Sequence, residues 1–300
     1  MKNILVPTDF SENAFNAIKY ALTLHKNEEC TFFFLNVYTP AITHKYFMHN
    51  GLNYDNDKER DYLSKQGLKK TIERIKAEFW NAKHTYKTYS SPDTLTSKVK
   101  EIIDKENIEL IILGNKGHSN LNQIFLGSNA VRILQSIKKC PVIIVPNDAK
   151  FTPLSEIAFA TDFNKFYTKS EIAPILSLAT SFDATVRVVH VQKQLRSLSD
   201  IQRFNLNILR KHFSSIEYYV HTVSETHSMS RTLGIFVEEL QIHLLAMLNY
   251  PQGYMKQLVN ESDVKQEEVF NKIPLLVIPE LSDSYLEHLH KKDKESIISV

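Results

Sequence analysis

The sequence has few glycines and few cysteines, 7 and 2 respectively in 300 residues. It also has no apolar run near the ~20 residues that a membrane-spanning helix requires. Pro7 and Asp9 interrupt the start of the chain where a signal peptide would continue its apolar core, so we expect a cytoplasmic protein without a membrane partner. The formal net charge is only +2, and no basic stripe is interleaved with aromatic residues, which argues against a nucleic-acid partner.

The two cysteines, Cys30 and Cys140, form neither a CxxC pair nor a spacing typical of metal ligands. We expect both to be reduced structural thiols. The 12 histidines are scattered, without an HExxH motif or a Cys/His array. The sequence therefore predicts no metal site built from side chains alone.

Segments typical of strands and of helices alternate along the first half of the chain. Strands are predicted at 4–8, 31–37, 84–89, 110–113 and 142–145, and helices at 11–25, 57–80, 94–105 and from 128 onward. This alternation predicts an α/β fold, with a parallel sheet and helices on both of its faces. The connection at 38–55 is longer than a simple turn and is a candidate lid or interaction loop.

Three of the seven glycines fall within one short stretch, at Gly114, Gly117 and Gly127, and Ser128 follows the last of them. Glycine lets backbone N–H groups approach an anion closely, because it has no Cβ. A helix with Ser128 as its N-cap would direct its free N–H groups to the same place. The pattern thus favours a phosphate cradle, and a plain strand-loop-helix connection without a ligand is the alternative.

The second half of the chain repeats the first. The triplet Thr-Asp-Phe at 8–10 recurs at 161–163, an offset of 153, and the strand patterns at 31–37 and 139–146 recur at 185–191 and 272–279. An internal duplication predicts two domains, at 1–146 and 153–279, followed by a tail at 280–300.

The second copy is predicted to have lost the cradle. With the offset of 133 that relates the last strands of the two halves, Gly114, Gly117, Gly127 and Ser128 correspond to Met247, Tyr250, Asn260 and Glu261. Large side chains would fill the phosphate space, and Glu261, with Asp263, Glu267 and Glu268 beyond it, would repel a triphosphate. We therefore expect one nucleotide per chain.

The pattern Gly114-x2-Gly117-x9-Gly127-Ser128, followed by CPVIIV at 140–145 and preceded at the start of the chain by ILVPTDFS at 4–11, resembles the ATP-binding signature of the universal stress protein family. The resemblance covers both ends of the first half. It implies a tandem duplication of two doubly wound, five-stranded parallel-sheet domains, Rossmann-like and adenine nucleotide alpha hydrolase-like, with strand order 3-2-1-4-5.

The same resemblance implies which residues hold ATP with Mg²⁺. Pro7, Thr8 and Asp9 would lie at the adenosine and Val37 at the base, and Gly114, Gly117, His118, Gly127, Ser128 and Asn129 would surround the ribose and phosphates. For Asp9 the alternative is a helix N-cap, since its counterpart Asp162 persists in the half that lacks the cradle.

The implied function is that of an ATP-binding stress-response or regulatory protein, with the second domain as a structural or regulatory partner. Neither a Walker lysine nor a general base paired with a nucleophile is evident, so any hydrolysis should be slow, with His118 the only local candidate for proton transfer. An adenylating or phosphotransfer enzyme on the same fold, and a nucleotide-free scaffold, are the rival functions.

The resemblance also implies an arrangement of the two domains. Family proteins with one such domain commonly form dimers, so the two halves are expected to form an intramolecular pseudo-dimer about a pseudo-twofold axis, through the strands at 142–145 and 275–278. Further homodimerisation of the whole chain stays open.

Overall fold

The computed structural model describes residues 1–38, 56–115, 126–194, 196–260 and 273–280. The chain divides into two compact units, residues 1–136 with 143–151 and residues 137–142 with 152–300. Most of the predicted loop at 38–55, the site residues Gly117 and His118, and the tail beyond 280 lie outside the described residues. Within the described part, no helix combines the length and apolarity needed to cross a bilayer.

The first unit alternates strands and helices as the sequence predicts. Its elements are β1 Lys2–Pro7, α1 Glu12–Leu24, β2 Cys30–Val37, α2 Asn56–Glu78, β3 His84–Ser91, α3 Leu95–Glu106, β4 Leu110–Gly114, α4 Ser128–Ser136 and β5 Val142–Val145. Its strands follow the order β3-β2-β1-β4-β5, and the β1–β2, β1–β4 and β2–β3 pairs are parallel. The order 3-2-1-4-5 is confirmed.

The central strands of this sheet are buried along almost their whole length. Phe32, Phe33 and Phe34 in β2 are at most 1% exposed, and Ile111 and Ile112 in β4 are fully buried. Consecutive buried residues are typical of parallel strands that helices cover on both faces. Polar groups that bind a ligand are therefore confined to the ends of the strands.

The second unit has the same topology. Its elements are β6 Glu156–Ala160, α5 Lys169–Phe182, β7 Thr185–Gln192, α6 Asp200–His212, β8 Tyr218–Ser224, α7 Met229–Glu239, β9 Leu244–Asn249, α8 Tyr254–Asn260 and β10 Leu275–Pro279. Its strands follow the order β10-β9-β6-β7-β8, which is the order of the first unit read from the opposite edge. Each unit thus has the strand order of a doubly wound α/β fold.

The strand register corrects one equivalence between the halves. Ile4 pairs with Leu110, and Ile157, 153 residues after Ile4, pairs with Leu244. β9 therefore matches β4 at an offset of 134, and the expected replacement of Gly114 by Met247 is wrong. The counterpart of Gly114 is Leu248. At this offset the fully buried Met247 corresponds to Leu113, one residue before the glycine.

One side chain ties α1 to the segment that follows β5. Asn16 Nδ2 lies 3.2, 3.1 and 2.9 Å from the carbonyl oxygens of Pro146, Asn147 and Ala149. An amide nitrogen has two hydrogens, so three acceptors share two donors. Asn16 thus holds the end of β5 against the helix that follows β1.

We expect Asn16→Asp to destabilise the protein more than Asn16→Ala. The carboxylate has the shape of the amide but places an oxygen against three carbonyl oxygens, whereas alanine only removes the donor. The aspartate should lower the free energy of unfolding by about 1–3 kcal/mol, measured by urea denaturation followed by circular dichroism. Equal stability of the two variants would contradict a donating role for this amide.

Candidate functional site

The predicted site residues in the described part lie at the carboxyl ends of β1, β2 and β4. Asp9 follows β1 by two residues, Val37 ends β2 and Gly114 ends β4. β1 lies between β2 and β4 in the sheet, and the chain leaves β1 and β4 toward opposite sides. Ligands of open α/β sheets bind at such a switch point.

Asp9 orders the turn between β1 and α1. Its Oδ1 accepts hydrogen bonds from the Ser11 N–H at 3.1 Å and from the Ser11 hydroxyl at 2.6 Å. Ser11 is the N-cap of α1, since its side chain accepts the Ala14 N–H. The N-cap alternative for Asp9 is therefore wrong, because the cap lies two residues later. Phe10, between them, has a φ of +64°, in the left-handed region.

Thr8 connects this turn to the neighbouring strand. Its N–H donates to the Leu35 carbonyl at 2.8 Å, its carbonyl accepts from Asn36 Nδ2 at 2.8 Å, and its hydroxyl accepts the Phe10 N–H at 3.1 Å. The residue is 7% exposed. The backbone that carries Asp9 is thus fixed by three bonds before any ligand arrives.

The backbone N–H and carbonyl of Val37 lie beyond the end of the neighbouring strand β1. The Leu35 carbonyl faces β1, because it accepts the Thr8 N–H. In a parallel strand the residues two apart face the same neighbour, so the N–H and carbonyl of Val37 point the same way. β1 ends at Pro7, opposite Leu35, and so these two groups face the space beyond β1.

Gly114 lets a neighbouring side chain approach its backbone closely. A Cβ at this position would lie 2.7 Å from Asn13 Nδ2, and real Cβ atoms are not found that close to a heavy atom. No glycine in the described residues has a positive φ. The absence of a side chain at Gly114 therefore makes room for the side chain of Asn13, and not only for an anion.

Asn13 is a site residue that the sequence analysis missed. Its Nδ2 and Oδ1 atoms are buried and have no hydrogen-bond partner among the described residues. Buried amide groups are nearly always hydrogen-bonded. No sequence signal distinguishes this asparagine from the other polar residues of α1, because only the fold brings it against Gly114.

Gly127 holds the start of α4 at the end of β4. Its N–H donates to the Asn115 carbonyl at 2.7 Å, and its carbonyl accepts the Val131 N–H at 3.1 Å. The carbonyl that accepts the first intrahelical bond belongs to the N-cap. Gly127 therefore occupies that position, and the prediction of Ser128 as N-cap is wrong by one residue. Ser128 and Asn129 are exposed in the first turn, where N–H groups lack intrahelical acceptors.

One acidic side chain at the start of α1 is neutralised locally. Arg74 donates to both carboxylate oxygens of Glu12, at 2.9 and 3.3 Å. The guanidinium hydrogen bond holds the pKa of Glu12 below its usual value. The charge of Glu12 is thus paired with a cation, which reduces its repulsion of an anion at this edge of the sheet.

In the second unit, two tyrosine hydroxyls contact the counterparts of site residues of the first unit. The Tyr250 hydroxyl donates to Asp162 Oδ1, and Asp162 is 6% exposed. The Tyr254 hydroxyl accepts the Val191 N–H at 2.9 Å and donates to the Val191 carbonyl at 2.7 Å. Burial raises the pKa of both phenols, so both keep their protons at neutral pH.

Val191 is the counterpart of Val37. The Val189 carbonyl accepts the Thr161 N–H, as the Leu35 carbonyl accepts that of Thr8, and Val191 comes two residues later. The two backbone groups that face the crevice of the first unit are therefore bonded, in the second, to a side chain of the same unit.

The first unit can thus offer a carboxylate, a strand-end N–H and carbonyl, and the first turn of a helix to one ligand. This set suits a ligand with a polar flat group at one end and negative charge at the other. Eight of the predicted site residues lie in this crevice, at the carboxyl ends of the strands: Pro7, Thr8, Asp9, Val37, Gly114, Gly127, Ser128 and Asn129.

Comparison with known proteins agrees with this architecture. Residues 1–146 match the model of the universal stress protein family. Two curated universal stress proteins of Methanocaldococcus jannaschii are 28% and 27% identical over 156 and 153 residues, which cover 50% and 48% of this chain and 84% and 94% of the relatives.

Solved structures resemble the chain over nearly its full length. A universal stress protein from Archaeoglobus fulgidus has a TM-score of 0.63 at 20% identity, covering 92% of this chain and 98% of its own. A second, described as a putative universal stress protein from Pseudomonas aeruginosa, has a TM-score of 0.55 at 13% identity, covering 97% of each chain. At these identities the likeness concerns the fold. Through this match, residues 1–146 of the chain belong to the universal stress protein family.

Proposed function

We propose that the first unit binds one adenine nucleotide, ATP with Mg²⁺, and that nucleotide occupancy regulates a stress-response function of this chain. The observation that carries the proposal is the hydrogen bond from the Gly127 N–H to the Asn115 carbonyl. It brings the first turn of α4 beside the ends of β1 and β4, so that anion-binding N–H groups and the Asp9 carboxylate belong to one crevice.

Each group in the crevice has a complementary part of the nucleotide. The N–H and carbonyl of Val37 suit the hydrogen-bonding edge of adenine, and the Asp9 carboxylate suits the ribose hydroxyls. The N–H groups of Ser128 and Asn129 suit the phosphates. Pro7 and Thr8 would form the wall at the adenosine, Gly117 and His118 would approach the phosphates, and Mg²⁺ would be held mainly by phosphate oxygens.

We place catalysis outside this proposal, beyond slow hydrolysis. The Asp9 carboxylate accepts two hydrogen bonds from Ser11 within the turn. These bonds fix the side chain as an acceptor, so it is not free to act as a general base. A regulatory role needs only that bound and free forms differ. Analysis by mass spectrometry of the ligand released from purified protein tests nucleotide binding without assuming turnover.

The second unit is proposed to bind no nucleotide. Its tyrosine hydroxyls already satisfy Val191 and Asp162, the counterparts of Val37 and Asp9. A nucleotide would have to displace both hydroxyls and find space where Tyr250 and Tyr254 are packed. This reason replaces the one based on Met247, and the acidic residues from Glu261 onward lie outside the described residues.

We expect Gly127→Val to weaken ATP binding while the protein stays folded. The valine side chain would hold the phosphates away from the first turn of α4. Loss of one charge-assisted hydrogen bond is worth about 1.5–3 kcal/mol, or roughly 10- to 150-fold in Kd. Gly127→Ala, with the smallest possible side chain, should have the smaller effect. Calorimetry measures both, and wild-type affinity in folded Gly127→Val would contradict the proposal.

Two N-cap variants separate stability from binding. Ser11→Ala and Thr94→Ala each remove a cap of the first unit, at α1 and at α3, and each should cost about 1 kcal/mol of stability. Only Ser11→Ala also loosens the Asp9 carboxylate, because it removes the hydroxyl that donates to Oδ1 at 2.6 Å. Ordering that side chain on binding should cost about 0.5–1.5 kcal/mol, roughly a 2- to 12-fold loss of ATP affinity. Equal affinities of the two variants would argue against Asp9 as a ligand.

Calorimetric titration of the full chain should give one ATP per chain. We expect no second ATP to bind in the second unit, because its crevice is filled by its own tyrosines. A stoichiometry near two ATP per wild-type chain would show that the tyrosines of the second unit move aside.

A further inference from the structure

A cluster of potential metal ligands lies at the amino end of β2, at the opposite end of the strands from the crevice. His25, Glu28 and Cys30 each offer one ligand atom, and these atoms lie within 4.8 Å of one another. His25 is the C-cap residue of α1, and Cys30 begins β2. β2 ends at Val37, so its eight residues place the cluster roughly 25 Å from the proposed nucleotide.

The histidine of this cluster is buried without a hydrogen bond from its ring among the described residues. Its side chain is fully buried, and neither Nδ1 nor Nε2 has a hydrogen-bond partner there. Nδ1 lies 3.4 Å from Glu28 Oε1, close enough for an ion pair only if the ring is protonated. A bound cation between this ring nitrogen and the carboxylate oxygen would give both atoms a partner.

The three ligand types suit a divalent transition metal. Imidazole nitrogen, thiolate sulfur and carboxylate oxygen are the donors that Zn²⁺ takes, at about 2.0–2.3 Å. Tetrahedral geometry then separates neighbouring ligand atoms by roughly 3.3–3.8 Å. The distance between His25 Nδ1 and Glu28 Oε1 falls in that range. The Glu28 side chain is 33% exposed, which leaves a path for a fourth ligand from water.

Surrounding groups hold the cluster in place. His84 pairs directly with Cys30 across the two strands, and its Nε2 lies 3.0 Å from the His25 carbonyl. Lys2 Nζ lies 3.9 Å from Glu28 Oε2, the carboxylate oxygen that does not face His25. Oε1 therefore stays directed to the histidine while the lysine contacts the other oxygen.

We propose that His25, Glu28 and Cys30 bind a divalent transition-metal ion of the zinc class. The metal–sulfur bond forms as Cys30 loses its S–H proton to solvent, and His25 binds as the neutral ring. Metal binding at this site therefore releases one proton. The ion would join the end of α1 to the start of β2. This site departs from the sequence expectation of no metal, because the spacing H-x2-E-x-C matches no familiar metal motif.

Cobalt is a spectroscopic probe of the site. Full-length, nucleotide-free protein stripped with a chelator is titrated with Co²⁺, and one equivalent per chain should produce a near-ultraviolet sulfur-to-cobalt charge-transfer band that Zn²⁺ then removes. Cys30→Ser should lose the band. Cys140→Ser is the matched control, because Cys140 is the chain's other buried cysteine and should leave the band unchanged.

Further measurements keep the proposal testable if Cys30→Ser fails to fold. Glu28→Gln changes a partly exposed side chain, and its metal affinity should fall by more than the ~10- to 100-fold typical of a lost outer-shell partner. X-ray absorption at the zinc edge of the wild-type protein should show one sulfur among nitrogen and oxygen ligands. The proposal is overturned by a zinc shell without sulfur, by no cobalt band in the wild type, by a band that persists in Cys30→Ser, or by unchanged affinity in folded Glu28→Gln.

Discussion

The candidate site of the first unit depends on the opposite directions that the chain takes after β1 and after β4. These strands are neighbours, but β1 continues toward β2 and β4 continues toward β5, so neither connection covers the edge between them. The hydrogen bond from the Gly127 N–H to the Asn115 carbonyl then holds the first turn of α4 at that edge. The carboxylate, the strand-end backbone groups and the helix terminus all derive their proximity from this arrangement.

The turn that carries the aspartate is a structural unit in both halves. The carbonyl of Thr8 accepts from Asn36, and that of Thr161 lies 3.0 Å from His190 Nδ1. In both turns a phenylalanine adopts a positive φ, and an aspartate oxygen accepts an N–H two residues on. The turn alone thus accounts for the presence of aspartate in each half. Whether that aspartate can meet a ligand is decided by its neighbours.

In the second unit, tyrosine side chains of the same unit bond the counterparts of Asp9 and Val37. One tyrosine hydroxyl bonds the Val191 backbone and another bonds Asp162, so the polar groups that a duplicated crevice inherits are satisfied internally. Gly253 supports this packing, since a Cβ there would lie 2.5 Å from the Tyr250 ring. The tyrosines thereby remove the cost of leaving these buried polar groups unpaired.

The sequence by itself determined the α/β class, the internal duplication and most element boundaries, because periodicity and turn residues are local signals. With the family resemblance, it also determined the strand order and the residues at the edge of the sheet. Only the tertiary structure decided the register that makes Leu248, not Met247, the counterpart of Gly114. It alone placed Asn13 against Gly114, the Tyr254 hydroxyl on Val191, and His25 beside Glu28 and Cys30. Most of these contacts join residues far apart in the chain, and all depend on side-chain direction, which no local pattern encodes.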